Sequence, residues 1–391
     1  GDLVIASTSL LGGSTGGNYK GAVSIASGSS LTNESSATQQ WTGVVTSSGT
    51  FTQNGTGILA LYGSNTFASN VAVNAGTLGA FNNSAFGTVQ VDVTDAGLLL
   101  GPGVTLANNI TLGGASTIQT GRIVEYIIVG GGGGGGAWVG GGGGGGGVLT
   151  GATLADGVNT IVVGSGGTGA TNPGTMNAND LRATSGGSSV AFGITALGGG
   201  HGGSWSGQAP ASGSSGGGSG NAGAAGTGTA GQGFEGGVGR GNSTNGYPTG
   251  GGGGAGGAGE DWSATKSGDG GIGVYVDWAD AANLGESGWF GGGGGGGVHG
   301  FGVGPNAAAG SGGLGGGGNG IVATTTKAHR GAANNGGGGG GSGNSGGRYS
   351  RGGDGGSGLV AIRYLGSSAA ASGGNVTGGT TGSVNEGYQI H

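Results

Sequence analysis

The chain has 391 residues, of which 121 are glycine, and 16 acids against 10 bases give it a net charge of -6. An average sequence carries roughly 7% glycine, and only 7% of this one is charged, so it offers neither a basic face for nucleic acid nor a polybasic membrane patch. Cysteine is absent, which excludes a disulfide framework and any Cys-based zinc or redox site. No stretch approaches the roughly 20 apolar residues of a membrane span. The apolar run near the start, at residues 3–6, is too short for a signal-peptide core, so any export signal or anchor is expected outside this segment. Good helix formers are scarce, which argues against an α-helical core.

Residues 1–122 hold 21 of the glycines and the remaining 269 residues hold the other 100, so the composition places a boundary at residue 122. The first region alternates with period two, the mark of strands with one buried face. Val71, Val73 and Ala75 point one way; Val89, Val91 and Val93 repeat this, as do Val104 with Leu106 and Ile110 with Leu112. Turn clusters such as Asn82-Asn83-Ser84 and Gly101-Pro102-Gly103 separate them. Short strands in succession suit a parallel β-solenoid, with a β-sandwich as the alternative that periodicity leaves open. Gly63-Ser64-Asn65-Thr66-Phe67, followed by Val71-Ala72-Val73-Asn74-Ala75-Gly76-Thr77-Leu78, resembles the autotransporter-associated β-strand repeat; residues 3–61 follow it loosely. The resemblance implies a β-helix on a bacterial passenger or giant surface protein.

The second region, 123–365, contains unbroken glycine runs at 130–136, 140–147, 250–254, 291–297, 315–318 and 336–341. Glycine-rich chains ordinarily behave as flexible coils, and ordering each residue costs about 1–2 kcal/mol. The competing arrangement is a bundle of extended threefold helices of the polyproline II type, with every N–H and C=O paired to a neighbouring thread. Linkers do not carry regular apolar strands. This region has Val124-Glu125-Tyr126-Ile127-Ile128-Val129, Ile161-Val162-Val163-Gly164, an apolar stretch at 189–197, and Leu359-Val360-Ala361-Ile362-Arg363-Tyr364-Leu365. An ordered lattice beside a conventional β platform is therefore expected. Glu125-Tyr126-Ile127-Ile128-Val129 running into polyglycine, with Leu359-Val360-Ala361-Ile362-Arg363-Tyr364 closing it, resembles the glycine-rich domain of bacterial surface proteins and phage tail fibres. That resemblance implies a polyglycine II sandwich whose connecting loops recognise host receptors. Residues 366–391 read as a linker and then, from Gly387, the lead-in strand of a further unit.

No catalytic or cofactor-binding residues emerge. Patterns of the G-x-G-x-x-G type occur by chance at this glycine content, and the G-x-S-x-G patterns at 213–217 and 343–347 sit at no strand-to-helix elbow. His201, His299, His329 and His391 are far apart, so no metal site is expected. Glu260, Asp261, Asp269, Asp277, Asp280 and Glu286 form an acidic loop that fits no calcium-binding spacing, and a solvated loop is favoured. Aromatic rings falling between glycine runs must either cap the lattice or recognise a ligand, since exposed rings suit sugar stacking and interface anchoring. Trp138 and Trp289, abutting polyglycine, are assigned to capping; Trp205, Tyr247, Trp262, Tyr275 and Trp278 are the candidate receptor- or glycan-binding residues. The expectation is an all-β, non-catalytic, extracellular structural and adhesive segment of a long bacterial surface protein. Its partners would be neighbouring repeats or further copies of itself, or a cell-surface glycan or protein receptor. A phage tail fibre or adhesin is the alternative.

Overall fold

A computed structural model describes residues 1–6, 8–11, 18–171, 182–205, 208–220, 223–240, 247–299, 308–322, 327–345, 348–366, 377–378 and 388–391. The chain divides into two units: Gly1–Glu125 with Gly151–Asn159, and Tyr126–Thr150 with Thr160–His391. Nearly all regular structure is strand, and the one helix among the described residues is the four-residue Asp277–Asp280.

The first unit is a β-solenoid of about 5 turns. One parallel sheet stacks Leu3–Ile5, Ser30–Asn33, Thr50–Gln53, Val71–Val73, Val91–Thr94 and Ile110–Gly113; a second stacks Asn18–Tyr19, Gln39–Trp41, Ile58–Leu61, Thr77–Ala80, Gly97–Leu100 and Thr117–Thr120; a third holds Val23–Ile25, Val45–Ser47 and Thr66–Phe67. Leu31 pairs with Phe51, Phe51 with Val71 and Val71 with Val91, so these central coils advance by 20 residues. The period-two alternation thus becomes vertical stacks: Val71, Val73, Val91 and Val93 join Leu59, Leu61, Leu78 and Leu98 in one buried core. Each such side chain contributes roughly 1.5–3 kcal/mol on full burial.

The Gly-Ser-Asn-Thr-Phe segment has a physical reason in this fold. Asn65 is buried, and its Oδ1 accepts from the Val45 N–H at 2.7 Å while its Nδ2 donates to the Ala85 carbonyl at 2.8 Å. One amide therefore joins its own coil to the coils before and after it, at a corner where the main chain leaves these groups unpaired. Gly76 turns the next corner with φ of 60°, and a Cβ there would overlap the Gly55 carbonyl. On the outer face of the second sheet, Ala60 and Leu99 pack with Ile123, and Ile58, Tyr62, Phe81 and Leu154 flank them.

The second unit is built on main-chain hydrogen bonds. All seven N–H groups of residues 130–136 donate to other threads, in a strict cycle of three. Gly130, Gly133 and Gly136 donate to Gly147, Gly144 and Gly141; Gly131 and Gly134 to Gly187 and Thr184; Gly132 and Gly135 to Gly356 and Gly353. The same thread accepts from 199–202, 167–170 and 339–342 at the same period. A thread with three residues per turn presents successive groups 120° apart, which is why six neighbours are served. Those six also bond to one another in a closed ring. The links are Gly144 to Gly200, Gly186 to Gly199, Thr184 to Thr168, Gly355 to Gly167, Gly353 to Gly340 and Gly143 to Gly339. The packing is hexagonal, and the threads 140–147, 291–297 and 336–342 sit in similar surroundings.

Only glycine permits this approach. A Cβ on Gly133 would overlap the Gly200 carbonyl, on Gly143 the Gly133 carbonyl, and on Gly294 the Gly339 carbonyl. Threads on the perimeter instead carry side chains at every third residue, facing out: Ser165 and Thr168, Lys327 and Arg330, Glu235 and Val238, Ile272, and Leu314 are exposed at such positions. The unbroken glycine runs at 130–136, 140–147, 250–254, 291–297 and 336–341 are interior threads, whereas the run 315–318 begins in a turn, with φ of 100° and 87° at Gly315 and Gly316, and Gly-Gly-x triplets mark perimeter threads.

Beside the lattice, a five-stranded sheet runs in the order Val148–Ala155, Arg122–Val129, Leu359–Leu365, Tyr388–Ile390, Thr377–Gly378. This is the expected platform, with two differences. Ser189–Ala191 forms a separate hairpin with Ile194–Ala196, and Ile161-Val162-Val163 contributes a single bridge from Val162 to Val190. Tyr388–Ile390 pairs antiparallel with Leu359–Leu365, Arg363 opposite Ile390, and Ile390 joins the apolar layer over Ile127, Val129 and Ala361.

Candidate functional site

The lattice threads have two ends, and the candidate aromatics divide between them. One end is marked by Trp138, in the turn that joins threads 130–136 and 140–147. Trp138 and Val139 both adopt left-handed φ, 50° and 58°, a strain that the surrounding bonds hold in place. The Trp138 N–H donates to Ser342 Oγ and the Ala137 N–H to Ser204 Oγ, both at 3.1 Å, and the indole packs on Ala137, Ala170 and Ala183. Trp138 caps the lattice.

Trp205, Tyr247 and Trp262 gather at this end. The Trp205 N–H donates to the Trp138 carbonyl at 3.3 Å. Its ring meets Tyr247 edge-on with centroids 4.6 Å apart, and Tyr247 meets His299 edge-on at 5.3 Å. Alongside, the Arg240 guanidinium lies 4.6 Å over the Trp262 ring, and the Arg240 N–H donates to the Pro248 carbonyl at 2.9 Å. The three tryptophan and tyrosine rings are half-buried, each keeping part of its surface open; main-chain bonds fix Trp205 and Trp262, and ring contacts hold Tyr247. His201 lies on the same side of the unit: burial pushes its pKa down, outweighing its bond to the Gly202 carbonyl, and its Nε2 is 3.2 Å from Gln208 Nε2. It is a neutral ring accepting from an amide, not a free ligand. Phe301 lies outside the described residues, as does the Tyr349 side chain.

Tyr275 and Trp278 stand at the opposite end. Residues 290 to 297 span the unit between them, roughly 20 Å at about 3.1 Å per residue. The hairpin Val274–Tyr275 with Trp289–Phe290 and the helix Asp277–Asp280 form a small cap there. Trp278 is only 3% exposed, packed with Phe290, Val276 and Ala279 against Ile127 and Ala361. Arg363 is buried between the Trp278 ring, at 5.0 Å, and the Tyr388 ring, at 4.4 Å. Trp278 therefore leaves the set of exposed recognition residues: the insert supplies an apolar core of its own, and its indole fills that core. Tyr275 is 46% exposed, tilted against Trp289 at 5.5 Å, with its hydroxyl donating to Asp280 Oδ2 at 3.1 Å.

The acidic loop is likewise parcelled out. Asp261 Oδ1 accepts from the Val238 N–H at 2.7 Å, Asp269 pairs with Lys266 and accepts from the Ser311 N–H, and Asp277 accepts from the Trp278 N–H. Glu286 Oε2 accepts from the N–H groups of Gly315 and Gly316, both at 2.8 Å. These carboxylates satisfy backbone donors where threads turn, and among the described residues no three acids or histidines converge on a metal position. Ser215, in the first G-x-S-x-G pattern, is fully buried within a lattice thread. Sequence reasoning passed over His299 and Arg240 as partners of the rings; their adjacency follows from thread pairing, which no local pattern announces.

No helix among the described residues is long and apolar enough to cross a membrane. A comparison with curated proteins finds no match. The family model described as a glycine-rich domain matches residues 109–365, from the last solenoid coil to the closing platform strand. With its threefold threads, hexagonal bonding and flanking sheet in view, the chain belongs to this glycine-rich domain family.

Proposed function

We propose that this chain is a non-catalytic, extracellular structural and adhesive segment of a long bacterial surface protein or filament. The observation that carries the reading is the hexagonal bonding of the glycine threads. Each interior thread is held on six sides by main-chain bonds that net about 0.5–1.5 kcal/mol apiece, which suits a rigid spacer. The solenoid serves the same end, since stacked coils lengthen a protein without enlarging its core. In this reading, attachment falls to the end where Trp205, Tyr247 and Trp262 are held open, with a surface glycan or protein as ligand.

A second reading, a phage tail fibre or adhesin, is favoured by the clustering of Trp205, Tyr247 and His299 at a single end, as a receptor-binding tip requires. Glycan-array binding of the whole chain, compared with Tyr247→Ala and Trp262→Ala, tests the shared element. Both readings expect signal from the parent chain and its loss in the variants at unchanged melting temperature. Equal signals from all three would remove this end from recognition.

A further inference from the structure

The perimeter of the lattice is charged unequally. A row of five threads crosses the unit, linked by Gly167 to Gly132, Gly133 to Gly144, Gly142 to Gly250 and Gly251 to Glu260. Around 130–136 the threads 164–170 and 140–147 are opposite members of the ring of six, so this row is straight and its outermost threads lie on opposite sides. On one side, 164–170 adjoins 351–357 through Gly355 to Gly167, and 351–357 adjoins 327–333 through Gly331 to Asp354. The outward positions of these threads carry Lys327, Arg330 and Arg351, all exposed, with Asp354 among them. On the other side, 257–262 adjoins 233–239 through Gly259 to Glu235, and Glu235, Glu260 and Asp261 are exposed there.

Among the described residues the ion pairs are Lys266–Asp269 and Lys327–Asp354. Arg330, Arg351, Glu235, Glu260 and Asp261 form no ion pair among those residues, although Asp354 also attracts Arg330. Both faces are formed by threads lying side by side, and their charged side chains stand at exposed positions. A basic face and an acidic face on opposite sides of one body are complementary to each other, while each repels its own kind.

We propose that the basic face of one copy of this chain docks against the acidic face of a second copy, side by side. Such a contact joins two different surfaces, so a joined pair still has one face of each charge unused and association is open-ended, giving a ladder of species where a two-fold contact would stop at the dimer. The proposal concerns the chain's own copies and holds whether or not the aromatic end binds a receptor.

Sedimentation velocity of the full chain over a concentration series, in low and in high salt, tests it. Association beyond the dimer is expected at low salt and its loss at high salt, where the screening length falls from about 10 Å at 0.1 M to about 3 Å at 1 M. The pair Arg330→Glu with Arg351→Glu should raise the dissociation constant by about tenfold or more, and so should Glu235→Arg with Glu260→Arg. These positions face solvent, so both variants should melt like the parent. Mixing the two variants, one now acidic on both faces and the other basic on both, should restore association. A chain that stays monomeric at low salt, variants that associate like the parent, or a mixture that does not associate would each overturn the proposal.

Discussion

The solenoid and the glycine lattice solve one problem in opposite ways. In the solenoid, main-chain bonds run between coils in one direction only, and stability comes from side chains such as Leu59, Leu78 and Val91 packed inside. In the lattice, bonds run in every direction around each thread, and nothing is left inside to pack except the backbone. Glycine loses more freedom on ordering than any other residue, so the lattice can exist only where nearly every N–H finds a partner. Residues 130–136 and 140–147 meet that demand: every N–H in both threads donates to another thread. A core can thus be defined by what is absent from a side chain as firmly as by what is present.

The comparison is broken most severely by adding a side chain to the lattice. In Gly143→Val the new Cβ would overlap the Gly133 carbonyl. Backbone cannot rotate aside as a side chain can, so the loss should reach or exceed about 3 kcal/mol, the upper part of the overpacking range. A denaturant melt of the whole chain should show the second unit unfolding early. Removing a side chain from the solenoid is the mirror experiment. Leu78→Ala should lower the stability of the first unit by about 2–5 kcal/mol and leave the transition of the second in place.

Smaller effects sharpen the contrast. His201 has its folded pKa held below the ordinary value of about 6.5 by burial. The folded state therefore binds its proton less readily than the unfolded one. Its contribution is complete above the unfolded pKa and is lost as pH falls toward the folded one. Melting temperature should decline between neutral and mildly acidic pH, and His201→Gln should flatten that part of the profile. Least of all should change at the perimeter: Val238→Thr, at an exposed outward position, should alter the melt by no more than about 0.5 kcal/mol.

Much of the fold was legible in the sequence, for reasons that differ between the units. Alternation at Val71, Val73, Val91 and Val93 exposed the inward face of each coil, since period two is local. The glycine runs allowed both a tether and a lattice, because the bonds that decide between them join residues as distant as Gly132 and Gly356. The Gly-Gly-x triplets at 166–168, 236–238, 270–272 and 352–354 were visible but carried no meaning until the perimeter was known. At the aromatic residues the reading was divided. Trp205, Tyr247 and Trp262 keep open surface, whereas Trp278 lies under Arg363, 85 positions away, and in one core with Ile127, 151 positions away. Burial of a ring by remote residues leaves no local trace.

Amide hydrogen exchange across 130–147, followed residue by residue in the intact chain, bears most directly on whether bare backbone can form a core. Protection of those glycine amides to a degree comparable with Leu59 and Leu78 in the solenoid is the predicted result. Exchange at the rate of an unstructured peptide would contradict it.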